Sequence, residues 1–119
     1  MIGGSILMSF RFEVTPRFER SLRKLKKRYP QITADLKSAF AEIETNPHAG
    51  VVIPDDFAIR KLRVASSDMQ RGKSGGFRLL YKLIDENTTL KAILLFLYAK
   101  VDREDVTLAL LETLLSEIE

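Results

Sequence analysis

Three stretches decide the fold: Ala58-Ile59-Arg60-Lys61-Leu62-Arg63-Val64-Ala65, Phe77-Arg78-Leu79-Leu80-Tyr81-Lys82-Leu83-Ile84, and Thr89 to Lys100. In the first, Leu62 and Val64 alternate with Lys61 and Arg63, the period of a strand with one wet face and one dry face. Between the first and second lies Ser66 to Gly76, polar and carrying Gly72, Gly75 and Gly76, which reads as a mobile hairpin loop. Asp85-Glu86-Asn87-Thr88 reads as a tight turn into the third stretch, the most apolar and so the central one. Three strands joined by turns make an antiparallel meander.

Before the meander the period is helical. Arg11-Phe12-Glu13-Val14 reads as a short strand, and Thr15-Pro16 is a helix start with a capping hydroxyl and a proline at the first position. Phe18, Leu22, Leu25 and Tyr29 form one apolar stripe, and Pro30 ends that helix. Ile32, Leu36, Phe40 and Ile43 form the next stripe, closed by Asn46-Pro47. After the meander, Arg103 to Ile118 reads as a last helix. Helices segregated from a run of strands give an α+β class, two N-terminal helices packed on the antiparallel sheet with a C-terminal helix. Leu62, Val64, Leu79, Tyr81, Ile93, Leu95 and Leu97 are the expected core.

The chain has 119 residues, 45% hydrophobic and 29% charged, which fits one domain over 1–119 and excludes a disordered or low-complexity protein. Residues 1–8 read as a poorly ordered N-terminal extension, Met8 is an alternative start, and the leading segment lacks the pattern of a signal peptide. With no cysteine there is no disulfide framework, zinc–thiolate site or thiol nucleophile. No apolar run reaches the roughly 20 residues of a membrane span, so no membrane partner and a cytoplasmic location are expected.

The net charge of +3 hides an uneven distribution. Residues 17–37 carry eight basic residues against Glu19 and Asp35, and residues 60–82 carry seven against Asp68. Residues 102–119 carry six acids against Arg103. Two basic stretches in a nearly neutral chain point to a local anionic partner, set against the ordinary reading of a solvated helix face. Gly72-Lys73-Ser74 is not a phosphate loop, because Ser67 stands where the leading glycine belongs and the loop joins strand to strand. His48, the only histidine, reads as a surface loop residue, and Asp55-Asp56 as a turn.

The meander itself concentrates cations. Arg60, Lys61 and Arg63 lie on its first strand, Lys73 on the loop, Arg78 and Lys82 on one face of the second strand, Tyr98 and Lys100 on one face of the third. Antiparallel neighbours stand only about 4.8 Å apart, so these side chains converge, and like charges so placed call for a bound anion.

Ile59-Arg60-Lys61-Leu62-Arg63-Val64-Ala65, Gly72-Lys73-Ser74-Gly75-Gly76-Phe77-Arg78-Leu79-Leu80-Tyr81, and Leu97-Tyr98-Ala99-Lys100 followed by Arg103-Glu104-Asp105-Val106 resemble the RelE/ParE toxin superfamily. They are most similar to its RelE/HigB-like branch. The resemblance covers about 32–115. It implies a type II toxin of a toxin–antitoxin system, a ribosome-dependent messenger RNA endoribonuclease that uses neither metal nor cofactor. It implies a co-encoded antitoxin, expected to be of helix-turn-helix type, with ribosome and messenger RNA as further partners. Carried over residue by residue, it makes Arg63, Lys73, Arg78, Tyr98 and Lys100 catalytic candidates and Arg60, Lys61 and Lys82 RNA-binding ones. Where RelE has a further arginine after the strand-ending lysine and a tyrosine in its last helix, this chain has Val101 and Thr107. Tyr98 is either a stand-in for that tyrosine or a core aromatic with its hydroxyl at the rim. A ParE-like gyrase inhibitor and a non-catalytic member of the superfamily are the competing readings.

The chemistry suits such residues. RNA supplies its own nucleophile, the 2′-hydroxyl, so the protein has only to align the attack, move two protons and stabilise a phosphorane. Arginine clamps phosphate with parallel hydrogen bonds. Crowded cations lower each other's proton affinity, which makes Lys61 or Lys73 a candidate base.

Overall fold

A computed structural model of the chain describes residues 9–54, 57–103 and 105–118. The N-terminal extension and Asp55-Asp56 lie outside the described residues. The order of elements is β1 (Ser9–Val14), α1 (Pro16–Arg28), α2 (Ile32–Thr45), β2 (Val51–Val52), β3 (Ile59–Val64), β4 (Phe77–Glu86), β5 (Thr89–Ala99) and α3 (Leu108–Ser116). The sheet runs β1-β5-β4-β3-β2, so β4 is the central strand and β5, expected at the centre, lies beside it, covered on its other edge by β1.

The meander β3–β4–β5 is antiparallel as expected, and short β2 extends it antiparallel to β3. β1 differs: it lies parallel to β5, from Ser9 opposite Thr89 to Val14 opposite Leu94, which makes the sheet mixed. Its direction follows from the chain path. The crossover from β1 to β5 contains both helices, long enough for a parallel return that no hairpin turn could make.

The helix starts agree with their local chemistry. Thr15 Oγ1 accepts the Phe18 N–H at 3.1 Å, with Pro16 in the first turn. The last helix is shorter than its pattern suggests. It begins after Thr107, whose side chain accepts the Leu110 N–H at 3.2 Å; in the segment before it Asp105 meets Lys61 of β3 at 3.4 Å. The loop after β3, expected to be mobile, is tied down in its first half. Ser66 and Arg71 form a bridge, and Asp35 of α2 accepts from the Ser67 N–H and hydroxyl at 3.1 and 3.0 Å.

Two cores form, one on each face of the sheet. Phe18, Leu25, Ile32, Leu36 and Ile43 of α1 and α2 pack on Leu62, Val64, Phe77, Leu79, Tyr81, Leu94 and Leu97. On the other face Leu111 and Leu114 of α3 pack on Ile59, Leu80, Ile93, Leu95 and Tyr98. All seven expected core residues are buried, but Ile93 and Leu95 belong to the second core. A β-bulge is the reason. Leu80 pairs with Phe96 while Tyr81 pairs with Leu94, which leaves Leu95 as an extra residue on β5. One extra residue exchanges the faces for the rest of the strand. No described helix is long and apolar enough to cross a membrane.

Candidate functional site

The bulge sets up the site. Strict alternation along β5 would give Tyr98 the face of Ala92 and Leu94, under α1 and α2. The extra residue at Leu95 turns Tyr98 to the opposite face, where the register makes it the direct partner of Arg78. Arg78 in turn pairs with Arg63 on β3. Arg63, Arg78 and Tyr98 therefore form a row across three strands, with Lys61 two residues along β3 on the same face.

Arg78 is only 5% exposed. Its guanidinium donates to the carbonyls of Lys73 at 3.0 Å, Phe77 at 3.1 Å and Ser74 at 2.8 Å. A guanidinium has five N–H donors, so two remain for a ligand. Burial holds Arg78 below the usual arginine value, Arg63 adds to this, and Tyr98 works against it. Arginine starts so high that it stays charged at neutral pH.

Tyr98 is also 5% exposed, and its hydroxyl has no hydrogen-bond partner among the described residues. Burial pushes the phenol above its usual value and Asp105 adds to the rise, while Arg78 and Arg103 oppose it. The group is thus an un-ionised O–H beside cations with no acceptor of its own. Arg103 covers it: its guanidinium carbon stands 6.0 Å from the centre of the Tyr98 ring and 5.6 Å from that of Phe96.

The other candidates are dispersed. Lys61 holds Asp105 at 3.4 Å, and Lys73 reaches back to Glu42 of α2 at 3.1 Å. Lys100 is exposed just beyond β5, where its backbone N–H bonds the Gly76 carbonyl. Arg60 is on the opposite face. It pairs with Tyr81 and donates to the Gly50 and His48 carbonyls at 2.7 and 3.2 Å, fixing the loop after α2. Lys82 shares Arg78's face but lies four residues further along β4, roughly 13 Å away, and donates to the Phe57 carbonyl at 2.7 Å. Arg60 and Lys82 thus stand apart from the row.

Sequence reasoning passed over Arg103 as a site residue, although it stands in the third quoted motif. It also passed over Asp105 and Glu42, acids from distant segments that meet the sheet cations. The count of one acid within 60–82 is right for the segment and misleading for the surface.

The arrangement can seat a phosphate between Arg63, the two spare donors of Arg78 and the Tyr98 hydroxyl. Residues 12–103 match a family described as ParE toxin of type II toxin-antitoxin system, parDE. The chain is also similar in structure to the Escherichia coli toxin RelE, solved in the free state as a double arginine-to-alanine mutant. The TM-score is 0.53 at 20% identity, over 92% of this chain and 94% of that one. That likeness extends to the three helices and the mixed sheet; the HigB-like branch rests on the motifs alone. A toxin of this kind implies a cognate antitoxin. With the family match spanning the first two helices, strands β2 to β5 and the second half of β1, the chain belongs to the ParE toxin family of type II toxin–antitoxin systems, within the RelE/ParE superfamily.

Proposed function

We propose that the toxin is a ribosome-dependent endoribonuclease that cuts messenger RNA in the A site by attack of the RNA's own 2′-hydroxyl. The observation that carries this reading is the buried Tyr98 hydroxyl, protonated, without an acceptor among the described residues, in one row with two guanidinia. A buried donor left unpaired is costly, and a phosphate oxygen satisfies it. Arg63 and Arg78 bind the scissile phosphate and stabilise the phosphorane's charge. The 2′-oxygen bonds to phosphorus as its proton passes to the Asp105 carboxylate, which Lys61 holds at the border of the row. The bond to the 5′-oxygen breaks, and Tyr98 gives that oxygen its proton. The products are a 2′,3′-cyclic phosphate and a 5′-hydroxyl. Arg103 supplies a guanidinium near the position that Val101 leaves neutral. Lys73 and Lys100 lie on the rim, where they meet RNA or ribosome backbone. The neutralising partner is a co-encoded antitoxin of helix-turn-helix type.

A gyrase-inhibiting toxin that acts by binding is the second reading. The ParE match favours it, as does the pairing of Lys61 with Asp105 and of Lys73 with Glu42, which leaves fewer free cations than the sequence suggests.

The test is cleavage of a defined message on purified ribosomes, with product ends analysed, beside a gyrase supercoiling assay on the same preparation. A-site cleavage ending in a 2′,3′-cyclic phosphate, and lost in Arg78→Lys, is the expected result. A 3′-hydroxyl end, sensitivity to a chelator, or blocked supercoiling without cleavage overturns the nuclease reading.

A further inference from the structure

We propose that the groove between α1 and the outer edge of β5 is a track for single-stranded RNA, continuing the strand whose scissile phosphate sits in the Arg63–Arg78–Tyr98 row. The RNA identity rests on the nuclease reading above; the groove itself does not.

β1 stops opposite Leu94, so the C-terminal half of β5 has no strand on its outer side. α1 runs along that edge instead and leaves a groove of about 880 Å³ between helix and strand. One wall is Phe96, Leu97, Tyr98 and Ala99, and Arg103 also lines it. Phe96 and Tyr98 therefore border the groove as well as the sheet face, and the two surfaces are continuous.

The opposite wall is cationic. Arg17, Arg20, Lys24 and Lys27 recur at spacings of three and four, a stripe along one side of α1, with Arg23 and Arg28 beside it. From Arg17 to Arg28 the helix spans about 16 Å. The ends of the stripe are neutralised, Arg17 by Glu117 at 2.9 Å and Arg28 by Asp102 at 2.6 Å. Arg23, Lys24 and Lys27, in the middle, have no acid partner among the described residues, and Arg20 meets only the longer-range field of Glu117. All four are exposed. Among the described residues Asp102 is the single acid lining the groove, and Arg28 takes it.

The edge of β5 argues against a peptide as the occupant. A peptide adding to a sheet needs free backbone groups. Here the Leu97 N–H is taken by Ser21 Oγ at 3.2 Å, and the Leu94 and Leu95 carbonyls accept from the Thr15 hydroxyl at 3.0 and 3.3 Å. What the groove offers is a row of unpaired cations facing a half-buried Phe96 under the Arg103 guanidinium. Cations that follow a backbone and an aromatic–guanidinium platform on which bases stack are the two components of a single-strand site.

The experiment is fluorescence anisotropy on the purified chain with 2′-O-methyl oligouridylates, which cannot be cut. A tetranucleotide covers the sheet row alone; one of about 14 nucleotides, within the usual ~4–16 of single-strand sites, also fills the groove. The longer oligomer should bind more tightly. In Lys24→Gln/Lys27→Gln its log–log salt slope should shrink by about 1.4, two contacts at ~0.7 each, with tetranucleotide binding unchanged. Arg20→Gln/Arg23→Gln serves as a second, independent pair, and matched thermal melts show that each pair folds. Equal affinity for the two lengths, or a slope unchanged in both pairs, overturns the proposal. So does binding of poly-glutamate that depends on these cations where RNA binding does not, which would assign the groove to an acidic protein. Ribosomal cleavage by the same wild-type preparation keeps the two readings apart. Groove-dependent RNA binding without cleavage retains the track and removes the nuclease.

Discussion

Tyr98→Phe should make the protein more stable and far less active. The substitution removes one oxygen and keeps the ring, with its neighbours Phe96 at 5.9 Å and Arg103 at 6.0 Å. A buried hydroxyl without a partner costs about 1–3 kcal/mol of desolvation, and losing it returns part of that. At roughly 2.1 cal/mol/K per residue, the unfolding entropy of this chain makes 1 kcal/mol worth about 4 °C. An increase in Tm of about 4–8 °C is therefore expected by calorimetry or circular dichroism at pH 7. On ribosomes the same variant should lose cleavage about 10²–10⁴-fold, the usual contribution of a positioned acid. The pH dependence carries a sign. Burial raises the phenol in the folded state, so the folded state holds the proton more tightly than the unfolded one. That contribution is complete below the ordinary tyrosine value of about 10 and declines as the pH rises through the higher folded value. Tyr98→Phe should flatten part of this decline. A variant that melts below wild type would show that the hydroxyl has a structural partner; one that cuts normally would remove Tyr98 from proton transfer.

Gly76→Ala should be among the most damaging single changes. Its Cβ would stand 2.1 Å from the Val64 carbonyl oxygen, on the backbone of the neighbouring strand, so the loss should reach or exceed the ~1–3 kcal/mol of ordinary overpacking and show as insolubility or a much lower Tm. Arg60→Ala should lower stability by about 1.5–3 kcal/mol in denaturant titration, through loss of the charged donor to the Gly50 and His48 carbonyls. Acid should loosen α3: Arg17 holds Glu117 below the usual glutamate range, so the stabilisation is present above about pH 4.3 and lost as the pH falls through the lower folded value. The pair is partly exposed and worth at most about 1 kcal/mol, and Glu117→Gln should abolish this part of the acid sensitivity in thermal melts between pH 6 and 3.

Much of the fold was legible because local signals agree with it. The Thr15-Pro16 start, the Pro30 and Asn46-Pro47 stops and the alternation in β3 each have a mechanism confined to a few residues. What alternation misses is an irregularity. Nothing in Ala92-Ile93-Leu94-Leu95-Phe96-Leu97 marks Leu95 as the extra residue, since either phase buries apolar side chains. The separation of Ile93 and Leu95 from Leu97 and the face of Tyr98 follow from that one residue. The parallel β1 escaped because direction is set by the path of about 75 intervening residues rather than by any local pattern. The candidate site was legible in part: Arg63, Arg78 and Tyr98 do meet, but Arg60 and Lys82 turn to loop carbonyls. Such acceptors come from loops distant in sequence and leave no trace in a count of charges.

The distribution of acids explains how so cationic a sheet face folds. Like charges in cross-strand register, such as Arg63 opposite Arg78, repel, and burial of Arg78 adds a desolvation penalty. The chain offsets these costs in two ways. Three carbonyls solvate the buried guanidinium, and carboxylates from outside the sheet, Asp105 and Glu42, cover the cations at its margin. Neither device reaches the Tyr98 hydroxyl or the two remaining donors of Arg78. Among the described residues those groups are left unsatisfied at one point, beside Arg63, while Lys61 and Lys73 at the margin are paired. An anion with several oxygens would satisfy them together, and a carboxylate in cross-strand register with Arg78 would satisfy part of them from within the chain. Arg63→Glu is thus a different perturbation from Arg63→Gln: it places a carboxylate opposite Arg78 in the register, and should reduce RNA binding more than the glutamine does while thermal melts show no greater loss of stability.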